Sequence, residues 1–324
     1  MDFWKGKKVL ITGGAGFIGS VMAPELLGYG AEVSVVDNFE TGTRQNLDPV
    51  ASDVRIIEGD LRDRRTCLEA AAGQDAVINL ASKVAGIEYN RLNHAEMYTG
   101  TAQISTNMLD ASVEKGVQRF LVVSSACIYP GPASVPTPEN EGYDGWPEPN
   151  NEGYGWAKRM AEIQGKYFHD AGKIEVASVR PFNVYGPNDH FEERISHVIP
   201  AIIKRTVDGE NPVICWGTGK QTRSFIHVRD ASRAFLEVAA KYATASPVNV
   251  GTDEEISMGE LTRLIMELAG VDAGIEFDTT KPDGYARRQA DISLLKKATG
   301  FEPRIRLREG IAEAIEFYSS VKGA

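Results

Sequence analysis

The chain has 324 residues, which at roughly 100–200 residues per domain predicts two domains or one large α/β unit with an appended lobe. Apolar residues make up 42% and charged residues 25%, an ordinary globular composition that excludes collagen-like, mucin-like and disordered chains. Thirty-five Lys and Arg against 45 Asp and Glu give a net charge of −10. That sign repels nucleic acid and anionic membrane, so neither is expected as a partner, and an anionic ligand needs a local basic pocket.

No stretch reaches the ~18 apolar residues that span a bilayer, and Met1–Lys8 lacks the apolar region of a signal peptide. The three cysteines, Cys67, Cys127 and Cys215, are too few and odd in number for a disulfide framework. A cytoplasmic protein is expected. In chain order, Lys8–Ile11 reads as a short strand, followed by TGGAGFIGS and an amphipathic segment to Leu27. A second strand ends at Asp37 and a third at Asp60. A helix starts at Arg64, a strand runs to Ala81, a helix covers Gln103–Lys115, and a strand runs to Ser125. Strands alternating with helices predict a Rossmann-type α/β fold, a doubly wound parallel sheet with helices on both faces. The runs IIEG, AVINLA and RFLVVSS are continuous rather than alternating, as expected of strands buried on both faces.

Residues Pro130–Asn151 are rich in Pro, Gly, Glu and Asn and form a loop too long for a plain connection, which suggests function. A helix from Gly153 to Ala171 and the strand EVASVRPFNVYGP follow. Helices are expected at His197–Asp208, Asp230–Tyr242, Ser257–Ala269 and Leu307–Ser320. Residues 1–180 are read as the dinucleotide-binding domain, with later segments returning to it. Residues 181–324 are read mainly as a smaller, interleaved substrate lobe.

Gly13-x-x-Gly16-x-x-Gly19 follows a strand and opens a helix. The first glycine allows the tight turn, the second a close approach to a pyrophosphate, and the third close helix–strand packing. The helix N-terminus, with Phe17 and Ile18, offers N–H groups to the phosphates. Asp37, about 20 residues on, can accept the adenosine ribose hydroxyls. A 2′-phosphate would meet its charge, so NAD is favoured over NADP, although Arg44 nearby weakens the preference. Asn38, Asp60, Leu61, Leu80 and Ala81, at the ends of the next strands, complete the cofactor set. Asp60 reads equally as a helix N-cap.

Tyr154-x-x-x-Lys158 places a phenol and an ammonium on one helix face. The ammonium should favour phenolate, and the pair could then move a proton to or from a sugar hydroxyl while hydride passes to a nicotinamide. Ser125, at the C-terminal end of a central strand, can hold the same oxygen. With these motifs the chain resembles the extended short-chain dehydrogenases/reductases that act on nucleotide sugars, from KKVLITGGAGFIGS through WGTGKQTRSFIHVRD to DISLLKKATGFEPRIRLREGI. The resemblance implies a nucleotide-sugar substrate, a homodimer formed through a helical bundle, and hydride transfer assisted by Ser125, Tyr154 and Lys158.

The acidic pair of the family's 4,6-dehydratases is absent from SSACIYP, and Cys127 stands where simple 4-epimerases usually carry Thr. A cysteine there resembles the GDP-mannose 3,5-epimerase and GDP-L-fucose synthase branches, in which it exchanges a proton beside a transient ketone. A thiol can do so once its surroundings favour thiolate. His197 matches the fucose synthase acid, whereas the 3,5-epimerases compared have a lysine. SSACIYP, GWPEPNNEGYGWAK and WGTGKQTRSF resemble the 3,5-epimerase; KVAGI, YGPNDHF, SHVIPA and KPDG resemble fucose synthase. Asp37, hence NAD, favours a redox-neutral epimerase of a GDP-mannose-like hexose acting at C3 and/or C5. The alternatives are an NADPH-using 3,5-epimerase/4-reductase, another 4-epimerase, and a non-catalytic dinucleotide sensor. Thr101 departs from the family's usual Asn. By resemblance Lys83, Gly86, Asn183, Arg205, Arg223 and Lys281 contact the substrate, with Arg287 and Arg288 as weaker candidates. Cys67 and Cys215 are read as packing residues, and no metal site is expected.

Overall fold

A computed structural model describes residues 1–83, 86–192, 195–281 and 284–322. Its first half alternates strand and helix: β1 (Lys8–Thr12), α1 (Phe17–Gly28), β2 (Glu32–Asp37), β3 (Val54–Glu58), α2 (Arg64–Ala71), β4 (Ala76–Asn79), α3 (Ile87–Leu92), α4 (His94–Glu114), β5 (Arg119–Val123), α5 (Glu152–Asp170) and β6 (Glu175–Pro181). The second half runs β7 (Val184–Tyr185), α6 (Val198–Val207), β8 (Val213–Trp216), β9 (Thr222–Ser224), β10 (Ile226–His227), α7 (Val228–Lys241), β11 (Pro247–Val250), β12 (Glu255–Ser257), α8 (Met258–Ala269), β13 (Ile275–Asp278), β14 (Arg287–Arg288), α9 (Ser293–Thr299) and α10 (Leu307–Lys322).

Seven strands form one sheet in the order β11-β6-β5-β4-β1-β2-β3, with every pairing parallel. Its central strands are buried almost end to end, because helices cover both faces, and this is why their sequences do not alternate. The order reverses between β1 and β4, and ligands bind sheets of this kind at the carboxyl ends beside such a switch point. Gly13, Ala81 and Ser125 all stand at those ends.

The two halves interleave. Strand β11 closes the main sheet beside β6, and Ala231, Phe235 and Leu236 of α7 join the core that holds Val9, Ile11 and Val35. A separate core gathers Ile199, Ile202, Cys215, Leu261, Ile265 and Ile311. Around it lie the short pairs β8–β13 and β9–β12, with β14 on β9. Cys67 and Cys215 are buried in two of the three apolar clusters. Burial pushes the Cys67 thiol up to about 12, the behaviour of an inert core thiol.

Helix α4 begins nine residues earlier than its sequence signal, at His94 rather than Gln103. Its first turns carry polar side chains and the apolar period starts late. Residues 130–151 hold short 3₁₀ turns and an isolated bridge from Thr137 to Ala290. Two buried arginines pin this segment. Arg180 makes a bidentate pair with Glu162 (2.9 and 2.8 Å) and donates to the Glu139 carbonyl (2.7 Å) and the Tyr129 hydroxyl (2.9 Å). Arg159 donates to the carbonyls of Ile128 (2.6 Å) and Gly145 (2.7 Å). A loop whose backbone carbonyls are held by buried guanidinium donors is a fixed wall rather than a flap.

Candidate active site

The glycine turn is shaped by contacts that leave no room for side chains. A Cβ at Gly13, which has φ 66°, would lie 3.1 Å from the Ala81 backbone, and one at Gly19 would lie 2.5 Å from the Gly13 carbonyl. The Thr12 hydroxyl donates to Asn79 (2.8 Å) and accepts from the Ala81 N–H (3.0 Å), which fixes Leu80–Ala81 against the turn. The Asp37 carboxylate accepts from the N–H groups of Ala15 (2.9 Å) and Phe39 (2.8 Å). It is therefore held at the strand end with lone pairs to spare. These residues fit a dinucleotide: the start of α1 (Phe17, Ile18) would face the pyrophosphate and Asp37 the adenosine ribose.

The neighbouring charges are paired. Arg44 bonds Glu58 and lies over the Phe39 ring. Arg62 chelates Asp60 and holds that carboxyl below its usual range. The Asn38 side-chain Oδ1 accepts the Glu40 N–H (3.1 Å). Asp63, not Asp60, caps α2 by accepting the Arg65 N–H (3.0 Å), so the capping role is taken by its neighbour. The Leu61 carbonyl accepts the Cys67 thiol (3.2 Å).

At the end of β5, Ser125 accepts the Cys127 N–H through Oγ (3.1 Å). Tyr154 and Lys158 project from the first turns of α5. Lys158 is 2% exposed. Its Nζ donates to the Val123 carbonyl (2.9 Å) and lies 5.3 Å from the Tyr154 ring centroid. The four residues thus meet, as expected, but their charge states do not follow the expectation. Burial, then Cys127, holds the Tyr154 phenol well above its ordinary value, and burial pulls Lys158 down to about 8. The hydroxyl itself bonds Ser82. Desolvation therefore outweighs the attraction that would have favoured phenolate. Burial likewise raises Cys127, with Arg288 pulling it down and Glu148 pushing it up.

Ser82, Glu148, Tyr285 and Arg288 belong to this corner, and the sequence singled out only Arg288, as a weak candidate. Arg288 donates to the Ala126 carbonyl. The Glu148 N–H donates to the Cys127 carbonyl (3.2 Å), and its carboxylate accepts from the Asn150 N–H (3.2 Å) and the Asn151 side chain. Ser82 was legible in principle, since it follows Ala81 at a strand end.

His197 stands apart at the N-cap of α6, with Nδ1 at 3.0 Å from Asp189. That buried carboxylate holds the imidazole above its ordinary value. No hydrogen bond or ion pair among the described residues joins it to Cys127. Lys83 pairs with Glu40 and, at 3.5 Å, with Glu96, and Gly86 caps α3; residues 84 and 85 of KVAGI lie outside the described residues. Asn183, in a left-handed conformation (φ 41°), donates to the Ser224 carbonyl (2.8 Å) and links the two halves. Arg223 donates to the carbonyls of Thr222 and Tyr285 (2.7 Å each).

Arg205 and Lys281 both approach Trp216, at 5.7 and 5.2 Å from its ring centroid. Residues 282 and 283 of KPDG lie outside the described residues. Trp216 is 37% exposed, so the two cations expected at a diphosphate share an aromatic platform that sequence reasoning missed. Arg287 is taken by Glu255 (2.8 Å).

A Rossmann-type sheet whose carboxyl edge carries a glycine turn and a Ser–Tyr–Lys corner defines a dinucleotide-dependent enzyme of the short-chain dehydrogenase/reductase type. The sequence pattern of the NAD dependent epimerase/dehydratase family matches residues 9–251, and the chain belongs to that family. It is 33% identical over 320 residues to probable GDP-L-fucose synthase 1 of Oryza sativa subsp. japonica, covering 97% of this chain and 92% of that protein. It is 30% identical over 313 residues to the same plant's GDP-mannose 3,5-epimerase 1, covering 96% and 82%. Among solved structures, UDP-glucose 4-epimerase of Thermotoga maritima superposes with a TM-score of 0.87 at 26% identity, covering 97% of this chain and 99% of that one. The relatives are epimerases and reductases of nucleotide sugars, and the chain is a sugar-modifying enzyme of this type.

Proposed function

We propose that the protein is an NAD-dependent epimerase of a nucleoside-diphosphate hexose, GDP-mannose-like, that inverts C3 and/or C5 through a transient 4-keto sugar. The observation that carries this reading is the placement of Cys127 among Ser125, Tyr154 and Lys158. The dinucleotide supplies reversible hydride acceptance at C4. The protein's residues do the rest. Ser125 holds the C4 oxygen, and the phenolate form of Tyr154, the minor form in the free protein, takes its proton and becomes the phenol, with Lys158 beside the ring to stabilise that phenolate beforehand. A 4-ketone acidifies the hydrogens at C3 and C5. Cys127 exchanges a proton at one of these carbons, with Arg288 as the cation that acts most strongly on its charge. His197, kept protonatable by Asp189, serves the opposite face.

Arg205, Arg223 and Lys281 receive the diphosphate, and Trp216 supports the nucleoside end. Asp37 on the ribose side, with Arg44 engaged by Glu58, supports NAD rather than NADP. A second reading, an NADPH-using 3,5-epimerase/4-reductase, is favoured by the relatives named GDP-L-fucose synthase. The test is to follow GDP-mannose with catalytic NAD by product NMR. An epimer without net change in the reduced-nicotinamide band supports the proposal. Stoichiometric consumption of NADPH by a 4-keto-6-deoxy sugar overturns it in favour of the second reading.

A further inference from the structure

Tyr285 contributes a polar atom to the reaction corner that none of the described residues satisfies. The residue follows Gly284, which turns the chain at φ 67°, and precedes β14. Its carbonyl accepts Arg223 Nη1 (2.7 Å), and the Arg288 guanidinium lies 5.3 Å from its ring centroid. Backbone and ring are thus held from two sides. The hydroxyl reaches across to the segment after Cys127, where a Cβ built on Gly131 would lie 3.2 Å from its oxygen. That oxygen is buried and makes no hydrogen bond among the described residues.

A buried hydroxyl without a partner costs about 1–3 kcal/mol. One that is fixed in place and aimed at a reaction corner points to a partner that arrives with the ligand. We propose that Tyr285 is a specificity-determining residue whose hydroxyl hydrogen-bonds an oxygen of the substrate's hexose beside the carbon that Cys127 serves. The inference rests on the nucleotide-sugar reading above. Burial, then the charge of Glu148, keeps the phenol protonated, so it donates to that oxygen at neutral pH. A hexose lacking the oxygen leaves the donor unpaired and is rejected.

The test compares wild type with Tyr285→Phe, both loaded with NAD, by calorimetric titration of GDP-mannose, UDP-glucose and dTDP-glucose and of GDP, UDP and dTDP. For the sugar nucleotide that wild type binds most tightly, Tyr285→Phe should bind about tenfold more weakly. The free diphosphate should bind both proteins equally, and the spread among the three sugars should narrow. Gly131→Ala, whose Cβ displaces the hydroxyl, should give the same loss, and the double variant no further loss. Equal sugar-nucleotide binding by wild type and Tyr285→Phe, or an equal loss with the free diphosphate, overturns the assignment of Tyr285 alone. A wild-type protein that binds none of the three sugar nucleotides overturns it together with the nucleotide-sugar reading.

Discussion

The glycine turn and the reaction corner sit at the same edge of the same sheet, yet they are built on opposite plans. Around the turn, polar groups are satisfied from within: Asp37 by two backbone N–H groups, Thr12 by Asn79 and Ala81, Asp60 by Arg62. At the corner, burial pushes Tyr154, Cys127 and Tyr285 up and Lys158 down, and the Tyr285 phenol has no partner among the described residues. The turn is a finished socket. The corner holds its phenols and its thiol in their neutral forms and weakens the hold of Lys158 on its proton, a cost that the charge and hydrogen bonds of a bound substrate would offset.

The contrast can be broken or sharpened by substitution. The largest effect is expected at Cys127→Ser, which should lower proton exchange at C3 or C5 by roughly 10²- to 10⁴-fold while leaving single-turnover reduction of bound NAD. Loss of both steps together would mean that Cys127 shapes the corner rather than serving the sugar. Next comes the wall behind it. Arg180→Met leaves Glu162 buried without its partner and should destabilise the fold by about 3–5 kcal/mol in urea unfolding. A change below about 1 kcal/mol would show that the 130–151 segment is not anchored there.

Lys158 gives a pH test of similar size. Its pKa falls from 10.5 to about 8 on folding. Below pH 8 it is charged in both states, and the native state bears a desolvation cost of about 3 kcal/mol. From pH 8 to 10.5 the unfolded chain holds the proton and the native chain does not, so unfolding free energy rises with pH. Wild type should therefore gain on Lys158→Met across that window, and parallel curves would contradict the burial argument. The smallest effect belongs to the finished socket. Asp37→Asn should weaken NAD about 10- to 100-fold and narrow the preference over NADP, as read by titration of both dinucleotides.

The same contrast explains what could be read from the sequence. The turn is local: Gly13, Gly16, Gly19 and Asp37 announce themselves by spacing within one βαβ unit, and the parallel sheet follows from strand–helix alternation. Tyr154 and Lys158 were legible for the same reason, as one helix face. The rest of the corner is assembled from distant segments. Glu148 reaches it from the loop, and Tyr285 and Arg288 reach it from beyond β13. Neither spacing nor chemistry marks Glu148 or Tyr285 in a linear reading, and Arg288 stood out only as a weak diphosphate candidate. Asp189, the partner of His197, lies in the quoted YGPNDH motif but has no periodic signal. The phenolate expected for Tyr154 failed because a sequence shows the presence of a lysine and not the burial that it shares with the phenol. Helix α4 was read short because its first turns are polar.

The central claim is that this corner moves protons at carbons beside a transient ketone without net oxidation or reduction. Incubating the NAD-loaded protein with GDP-mannose in D2O, with no added reductant, tests it most directly. The account predicts deuterium at C3 or C5 of the recovered hexose, lost in Cys127→Ser, with the reduced-nicotinamide band unchanged at steady state. Recovery of an undeuterated hexose under these conditions, with deuterium entering only when NADPH and a 4-keto-6-deoxy sugar are supplied, would contradict it.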